Sequence, residues 1–105
     1  MIRRLAATTD AVDLEEAYAV APGVGWHVRT SFISSADGAV SIGGRAGGLG
    51  NASDRAVFGL LRDLADVILV GAGTARAERY GAVRPTGPRL ERRRRHRLPD
   101  APVMA

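Results

Sequence analysis

Apolar positions recur along this chain with two periods. Leu14, Ala17, Tyr18 and Ala21 stand at i, i+3, i+4 and i+7, the spacing of one helix face. This predicts a helix over 10–21, capped by Thr9 or Asp10, with acids in its first turns and Pro22-Gly23 as its stop. From Trp26 the period becomes two. Trp26, Val28, Thr30 and Phe32 alternate with His27, Arg29, Ser31 and Ile33, which predicts a strand over about 26–34. Residues 35–50 break the pattern, and five of the eight residues from Gly43 to Gly50 are glycine. Such a segment is expected to be mobile or to pass close to a neighbour that leaves no room for a Cβ.

A second helix is predicted over 52–65. Val57, Leu60, Leu61 and Leu64 form its apolar stripe, and Asn51 with Asp54 three residues on, or Ser53, supplies the cap. Val67-Ile68-Leu69-Val70 is a short apolar run, predicted as a strand buried on both faces. Gly71-Ala72-Gly73-Thr74 follows, and Thr74–Arg79 can form a short helix. Residues 84–100 are rich in arginine and proline and read as a connection. Pro102–Ala105 reads as the opening of another strand. This order of strand, helix and strand points to an α/β protein with a mostly parallel sheet.

The run at 67–70 needs more neighbours than two strands supply, since globular sheets usually have about four to six strands. The 105 residues are therefore expected to be the front part of a longer domain. The alternative is a small domain completed by dimerisation. Residues 1–25 read as an N-terminal helix and linker, and 26–105 as the front of the α/β domain.

Composition narrows the class. With 46% hydrophobic and 25% charged residues the chain is globular rather than disordered. There is no cysteine, which excludes a disulfide framework, a thiolate metal site and a cysteine nucleophile. No apolar run approaches the roughly 18 residues of a membrane span, and acids interrupt any signal-peptide core. A cytoplasmic protein with no membrane partner is expected.

The net charge of +4 is uneven. All 15 basic residues are arginine; residues 84–97 carry seven of them with one glutamate, while the rest of the chain is net acidic. The basic character belongs to one segment, so it argues only weakly for nucleic acid. Arg92-Arg93-Arg94-Arg95 lacks interleaved aromatics and a reading module, and is expected to be a solvated loop or helix face.

Three places could carry chemistry. Gly71-Ala72-Gly73-Thr74 joins a strand to a helix start, where backbone N–H groups and a threonine hydroxyl suit a phosphate. It is neither a Rossmann fingerprint, since Arg76 stands at the third glycine position, nor a Walker loop. A tight turn without a ligand is the alternative. Ser34-Ser35-Ala36-Asp37-Gly38 is first a turn signal. If strands 26–34 and 67–70 are parallel neighbours, it opens onto the same crevice as 71–74. Arg62 ends the second helix, either as a charge favourable to the helix dipole or as a grip on an anionic substrate. His27 and His96 lack metal-ligand spacing and read as structural; no metal is expected.

These blocks, taken in order, resemble a known family. Phe32–Gly38, Gly47-Gly48, Asp54-Arg55 with Leu60-Leu61-Arg62, and Ala65–Glu78 are similar to the pyrimidine reductase domain of riboflavin biosynthesis. Tyr80–Arg84 looks like its stand-alone actinobacterial members. The likeness runs from about Trp26 to Arg84. It implies a dihydrofolate reductase-like fold, a mostly parallel sheet with flanking helices, present only in its front part. It also implies NADPH, whose hydride converts a ribosylamino-pyrimidine phosphate to its ribitylamino form.

Residue by residue, the resemblance assigns Gly71, Gly73, Thr74 and Glu78 to the cofactor, with Ile33 as a backbone contact. It assigns Arg62 and Arg84 to the substrate and puts Asp37 at the nicotinamide end as the catalytic candidate. Such chemistry needs positioning more than a side-chain nucleophile. Ala36 and Ala39 depart from the family's leucine and basic residue, so a related pyrimidine or pterin is an alternative substrate. The family's later glycine-rich cofactor loop is absent from these residues, as is a deaminase zinc motif. Little activity of the 105 residues alone is expected, and a homodimer when full length. A non-catalytic nucleotide-binding or dimerisation module is the competing function.

Overall fold

The computed structural model describes residues 11–21, 23, 25–40, 42, 43 and 49–105. The elements in order are α1 (Leu14–Tyr18), α2 (Ala52–Asp63), β1 (Val67–Ile68), α3 (Ala72–Glu78), α4 (Pro88–Arg95) and β2 (Val103–Met104).

The first helix is shorter than its pattern. Asp13 takes the N-cap, its carboxylate accepting from the N–H groups of Glu15 and Glu16, and this fixes the start at Leu14, four residues late. Thr9, Asp10 and Pro22 lie outside the described residues. The second helix follows its signals closely. Asn51 caps it by accepting from the Asp54 N–H at 2.9 Å, and Arg62 stands in its last turn, favourable to the dipole. Leu60 is the buried member of its apolar stripe.

β1 and β2 pair in parallel, Val67 with Val103 and Ile68 with Met104. Flanking bonds extend the ladder: Val103 N–H donates to Asp66 O at 2.9 Å and Val70 N–H to Ala105 O at 2.8 Å. The strand expected at Pro102–Ala105 is thus present. Two other expectations are corrected. The run at 67–70 is not buried on both faces, for Leu69 is 79% exposed and Val67 is exposed too. The segment 26–34 is not a strand, with Trp26 98% and Phe32 91% exposed. A strand is a pairing rather than a residue property, and among the described residues β1 has only β2 as its partner.

The segment expected as a solvated connection is in part α4, with Pro88 in its first turn behind Gly87 at φ +54°. Arg92 and Arg93 turn into the molecule, while Arg94 and Arg95 stay exposed. Arg93 is 0% exposed and Asp63, at the end of α2, 1%. Arg93 Nη1 donates to the carbonyls of Asp63 at 2.9 Å and Ala65 at 2.8 Å, and its Nε to Pro99 O at 2.6 Å. Burial pulls the Arg93 guanidinium below its usual pKa, against the nearby carboxylates of Asp66, Asp63 and Asp100.

The Asp63 carboxylate accepts from Arg89 Nη2 and from Arg92 Nη1, each at 2.7 Å. α4 is therefore pinned to α2 by charge-assisted bonds that satisfy a carboxylate removed from water. Val83, Pro85 and Pro102 are buried around the same region.

Candidate functional site

The segment expected as a phosphate cup is mostly the first turn of α3. The helix begins at Ala72 rather than Thr74, so only Gly71 remains outside it as N-cap, and no side chain caps its free N–H groups. Thr74 is exposed, and a Cβ built on Gly71 or Gly73 meets nothing within 4 Å. The glycines are thus not demanded by packing within the chain. They leave the turn open to solvent. Arg76 is exposed on the same helix. Glu78, half-buried, stands at the far end, where Arg79 at φ +53° closes the helix by donating its N–H to Ala75 O.

Arg62 projects from the end of α2 between two aromatic rings. Its guanidinium carbon lies 5.2 Å from the Phe58 ring centre and 5.3 Å from that of Tyr80. Two cation–π contacts hold the guanidinium in place. Arg62 Nε is buried and has no acceptor among the described residues. Tyr80 follows α3 directly, so this contact joins α2 to the segment that carries Glu78 and Arg84. Arg84 is exposed between the buried Val83 and Pro85.

Asp37 lies in an exposed turn. Ser35 donates its hydroxyl to the Asp37 carboxylate, and the Ala39 N–H donates to Ser35 Oγ at 3.0 Å. The Ser35 bond, with the Ala39 N–H, holds the Asp37 carboxyl below its usual pKa. Gly38, at φ +90°, supplies the left-handed corner of the turn. Ile33, just before the turn, is half-buried.

The structure brings some of these residues together and leaves others apart. Arg62 meets the post-α3 segment. No backbone hydrogen bond joins 26–34 to β1 among the described residues, so Ile33 and Asp37 are not set beside Gly71–Thr74 by a shared ladder. Instead, Arg29–Phe32 run along an open cleft of about 590 Å³ with Tyr18 of α1 and Asn51, Asp54, Val57 and Leu61 at α2. Arg29 stacks over Tyr18 at 5.2 Å and donates to the Tyr18 carbonyl at 3.0 Å. Gly47 and Gly48 lie outside the described residues.

The residues that sequence reasoning missed are Asp63, Arg89 and Glu15, each fixed by α4. A signal was available. On a helix of about 3.6 residues per turn, Arg89, Arg92, Arg93 and His96 share one side, which a solvated face does not require. His96, read as structural, bonds Glu15 Oε1 through Nε2 at 2.9 Å. No group of metal-ligating side chains occurs among the described residues, and no described helix is long and apolar enough to cross a membrane.

Comparison with known proteins agrees with the order of motifs. No curated protein matches the chain. The profile of the RibD C-terminal domain matches residues 26–103, well over half of the chain and the whole span of Arg62, the α3 turn and Arg84. The chain belongs to the RibD C-terminal domain family, a reductase-type family of riboflavin biosynthesis.

Proposed function

We propose that the chain is an NADPH-dependent reductase unit acting on a ribosylamino-pyrimidine phosphate or a close pyrimidine or pterin relative, on a dihydrofolate reductase-like framework. The observation that carries this reading is Arg62, clamped by Phe58 and Tyr80 with Nε unspent. The two rings fix the guanidinium, one of its donors is unpaired among the described residues, and the exposed Arg84 lies four residues beyond Tyr80. Together they suit a substrate phosphate.

The first turn of α3 fits the pyrophosphate or ribose end of the coenzyme. It offers uncapped N–H groups, the exposed Thr74 hydroxyl and two glycines with open space above them. When bound, the coenzyme supplies the hydride. On this reading Gly71, Gly73, Thr74 and Glu78 would hold it, with Ile33 contributing backbone once 26–34 is brought beside them. Asp37, whose carboxyl the Ser35 bond holds below its usual pKa, would serve as an acceptor rather than as a proton donor near neutral pH.

Thermal unfolding of the chain with NADPH, with NADH and without coenzyme tests this reading. Stabilisation by NADPH in preference to NADH is expected, since ligand bound only to the folded state raises its stability. Absence of any NADPH effect refutes the reductase reading. Stabilisation without substrate-dependent oxidation of NADPH fits both the little activity expected of these 105 residues alone and the non-catalytic nucleotide-binding module, and selectivity for NADPH over NADH with binding of a pyrimidine phosphate favours the first.

A further inference from the structure

We propose that Arg92, Arg95 and His96 form an oxyanion site that the chain fills with its own Glu15, so that α1 is a latch displaced by a small tetrahedral oxyanion such as phosphate.

The convergence of donors carries the proposal. Glu15 Oε1 accepts from His96 Nε2 at 2.9 Å and Arg95 Nη2 at 3.1 Å. Glu15 Oε2 accepts from Arg95 Nη2 at 3.0 Å and Arg92 Nε at 3.1 Å. One carboxylate thus satisfies two guanidinium groups and an imidazole that it reaches from the other end of the sequence. Around it, α1 contributes the neighbouring acid Glu16, α2 contributes Asp63, and α4 contributes the three donors.

The site persists when Glu15 leaves. Arg92 is held from behind by Asp63, which receives its Nη1 at 2.7 Å. His96 is fixed through its backbone, donating to the carbonyls of Arg92 at 3.2 Å and Arg93 at 3.1 Å. Arg89 ties α4 to Asp63 independently. Arg92 and His96 therefore stay in place, while Arg95, whose side chain bonds only Glu15 among the described residues, is kept beside them by its position on α4, and the gathered donors favour an anion. Paired arginines with planar donor forks match the oxygens of a tetrahedral anion as well as those of a carboxylate.

The latch itself is light. α1 has five residues, none buried, so the ionic contact is a large part of what seats it. Glu15 competes only through its tethered effective concentration, which free anion can overcome in the millimolar range. Release of α1 also withdraws Tyr18 from Arg29 and opens the cleft beside Phe32. This inference stands apart from the reductase reading, because it uses none of the residues assigned to coenzyme or substrate.

The test is a phosphate titration of the chain at constant ionic strength, with chloride as control and phenyl phosphate as a second arm. The readouts are the NMR signals of the His96 imidazole and the arginine Nε–H groups, and amide exchange over 14–18. Saturable shifts at Arg92, Arg95 and His96, with faster exchange in α1, are expected. The tighter of the two anions shows whether the free ion or a phosphomonoester is preferred. Glu15→Gln removes the competitor and is expected to bind phosphate about tenfold more tightly. Arg95→Ala should abolish the response. Equal effects of chloride and phosphate, or saturable shifts that leave the three residues untouched, overturn the proposal. Should the Gln variant fail to fold, the titration of the unaltered chain decides the matter alone.

Discussion

Arg92 divides one guanidinium between two carboxylates on different helices, its Nε donating to Glu15 at 3.1 Å and its Nη1 to Asp63 at 2.7 Å. The arrangement gathers α1, α2 and α4 at one point. Burial alone would lower the Arg92 pKa, but bonds to Glu15 and Asp63 raise it. The segment expected to face solvent does so at Arg94 and Arg95, while Arg92 and Arg93 brace the interior.

Asp63 is the most consequential of these partners. Its carboxylate is almost wholly removed from water and depends on Arg89 and Arg92. Asp63→Ala is expected to cost roughly 2–4 kcal/mol, because two arginines lose their counterion and a packed side chain is deleted. Urea unfolding checks this value. A double-mutant cycle of Asp63→Ala with Arg89→Ala should give a coupling of about 1 kcal/mol or more.

Arg93 differs in kind, since it bonds carbonyls rather than carboxylates. Arg93→Lys keeps the charge but cannot reproduce the planar fork that reaches Asp63, Ala65 and Pro99. A loss of about 2 kcal/mol or more is expected, which for a domain of this size lowers Tm by roughly 10 °C. Arg94→Ala is the control. Its pair with Asp100 is exposed on both sides, so stability should hold within about 0.5 kcal/mol. Differential scanning calorimetry compares the two variants.

Acid should loosen the α1 contact. Burial of Glu15 would raise its carboxyl, but bonds from Arg95, His96 and Arg92 override this and lower it from 4.5 to about 2. A depressed folded-state pKa stabilises the fold above the unfolded value and is lost as pH falls from about 4.5 towards about 2. With discounting for partial exposure the contribution is on the order of 2 kcal/mol. Unfolding free energies measured down the acid limb should show this slope, and Glu15→Gln should remove its share.

Arg62 separates packing from binding. Arg62→Met retains an apolar stem between Phe58 and Tyr80 but carries no charge. A stability change below about 1.5 kcal/mol is expected, together with a rise in substrate KM of at least about tenfold, a charge-assisted hydrogen bond being worth roughly 1.5–3 kcal/mol. Steady-state kinetics alongside urea unfolding reads both. A variant with unchanged KM removes Arg62 from the substrate site.

Trp26 is the sole tryptophan and lies almost fully in solvent. Its fluorescence should be red-shifted and readily quenched by acrylamide, and Trp26→Ser should change stability by less than about 0.5 kcal/mol. A blue-shifted, protected emission would show that 26–34 is covered in solution.

What the sequence disclosed depended on whether the signal was local. For α2, cap, apolar stripe and terminal arginine all lie within the helix or next to it, so Asn51 through Arg62 were legible together. The strand at Val103–Met104 was legible from four residues because its partner run at Val67 was equally plain. The alternation from Trp26 to Phe32 was a true pattern, yet a ladder needs a neighbour, and the pattern could not supply one. The α3 turn is legible, but its helix starts two residues sooner, since Gly71 is tolerated as an N-cap and only Gly73 sits inside the helix. The Arg92–Arg95 run forms a helix face that is solvated at Arg94 and Arg95 and turned inward at Arg92 and Arg93, a division that charge alone does not show. The burial of Arg93 depends on carbonyls at Asp63, Ala65 and Pro99 that no local pattern announces.

The three carbonyls held by Arg93 precede the two strands, Asp63 and Ala65 leading into β1 and Pro99 into β2. The crossover between those strands carries both α3 and α4. Its two ends are brought level by a side chain that belongs to the crossover itself. The parallel ladder is expected to close after α4 has docked, because an unanchored loop of this length opposes strand pairing through its entropy. Variants that weaken the anchor, such as Arg93→Lys, should then slow the pairing of the strands more than the formation of α2, which stopped-flow refolding checks.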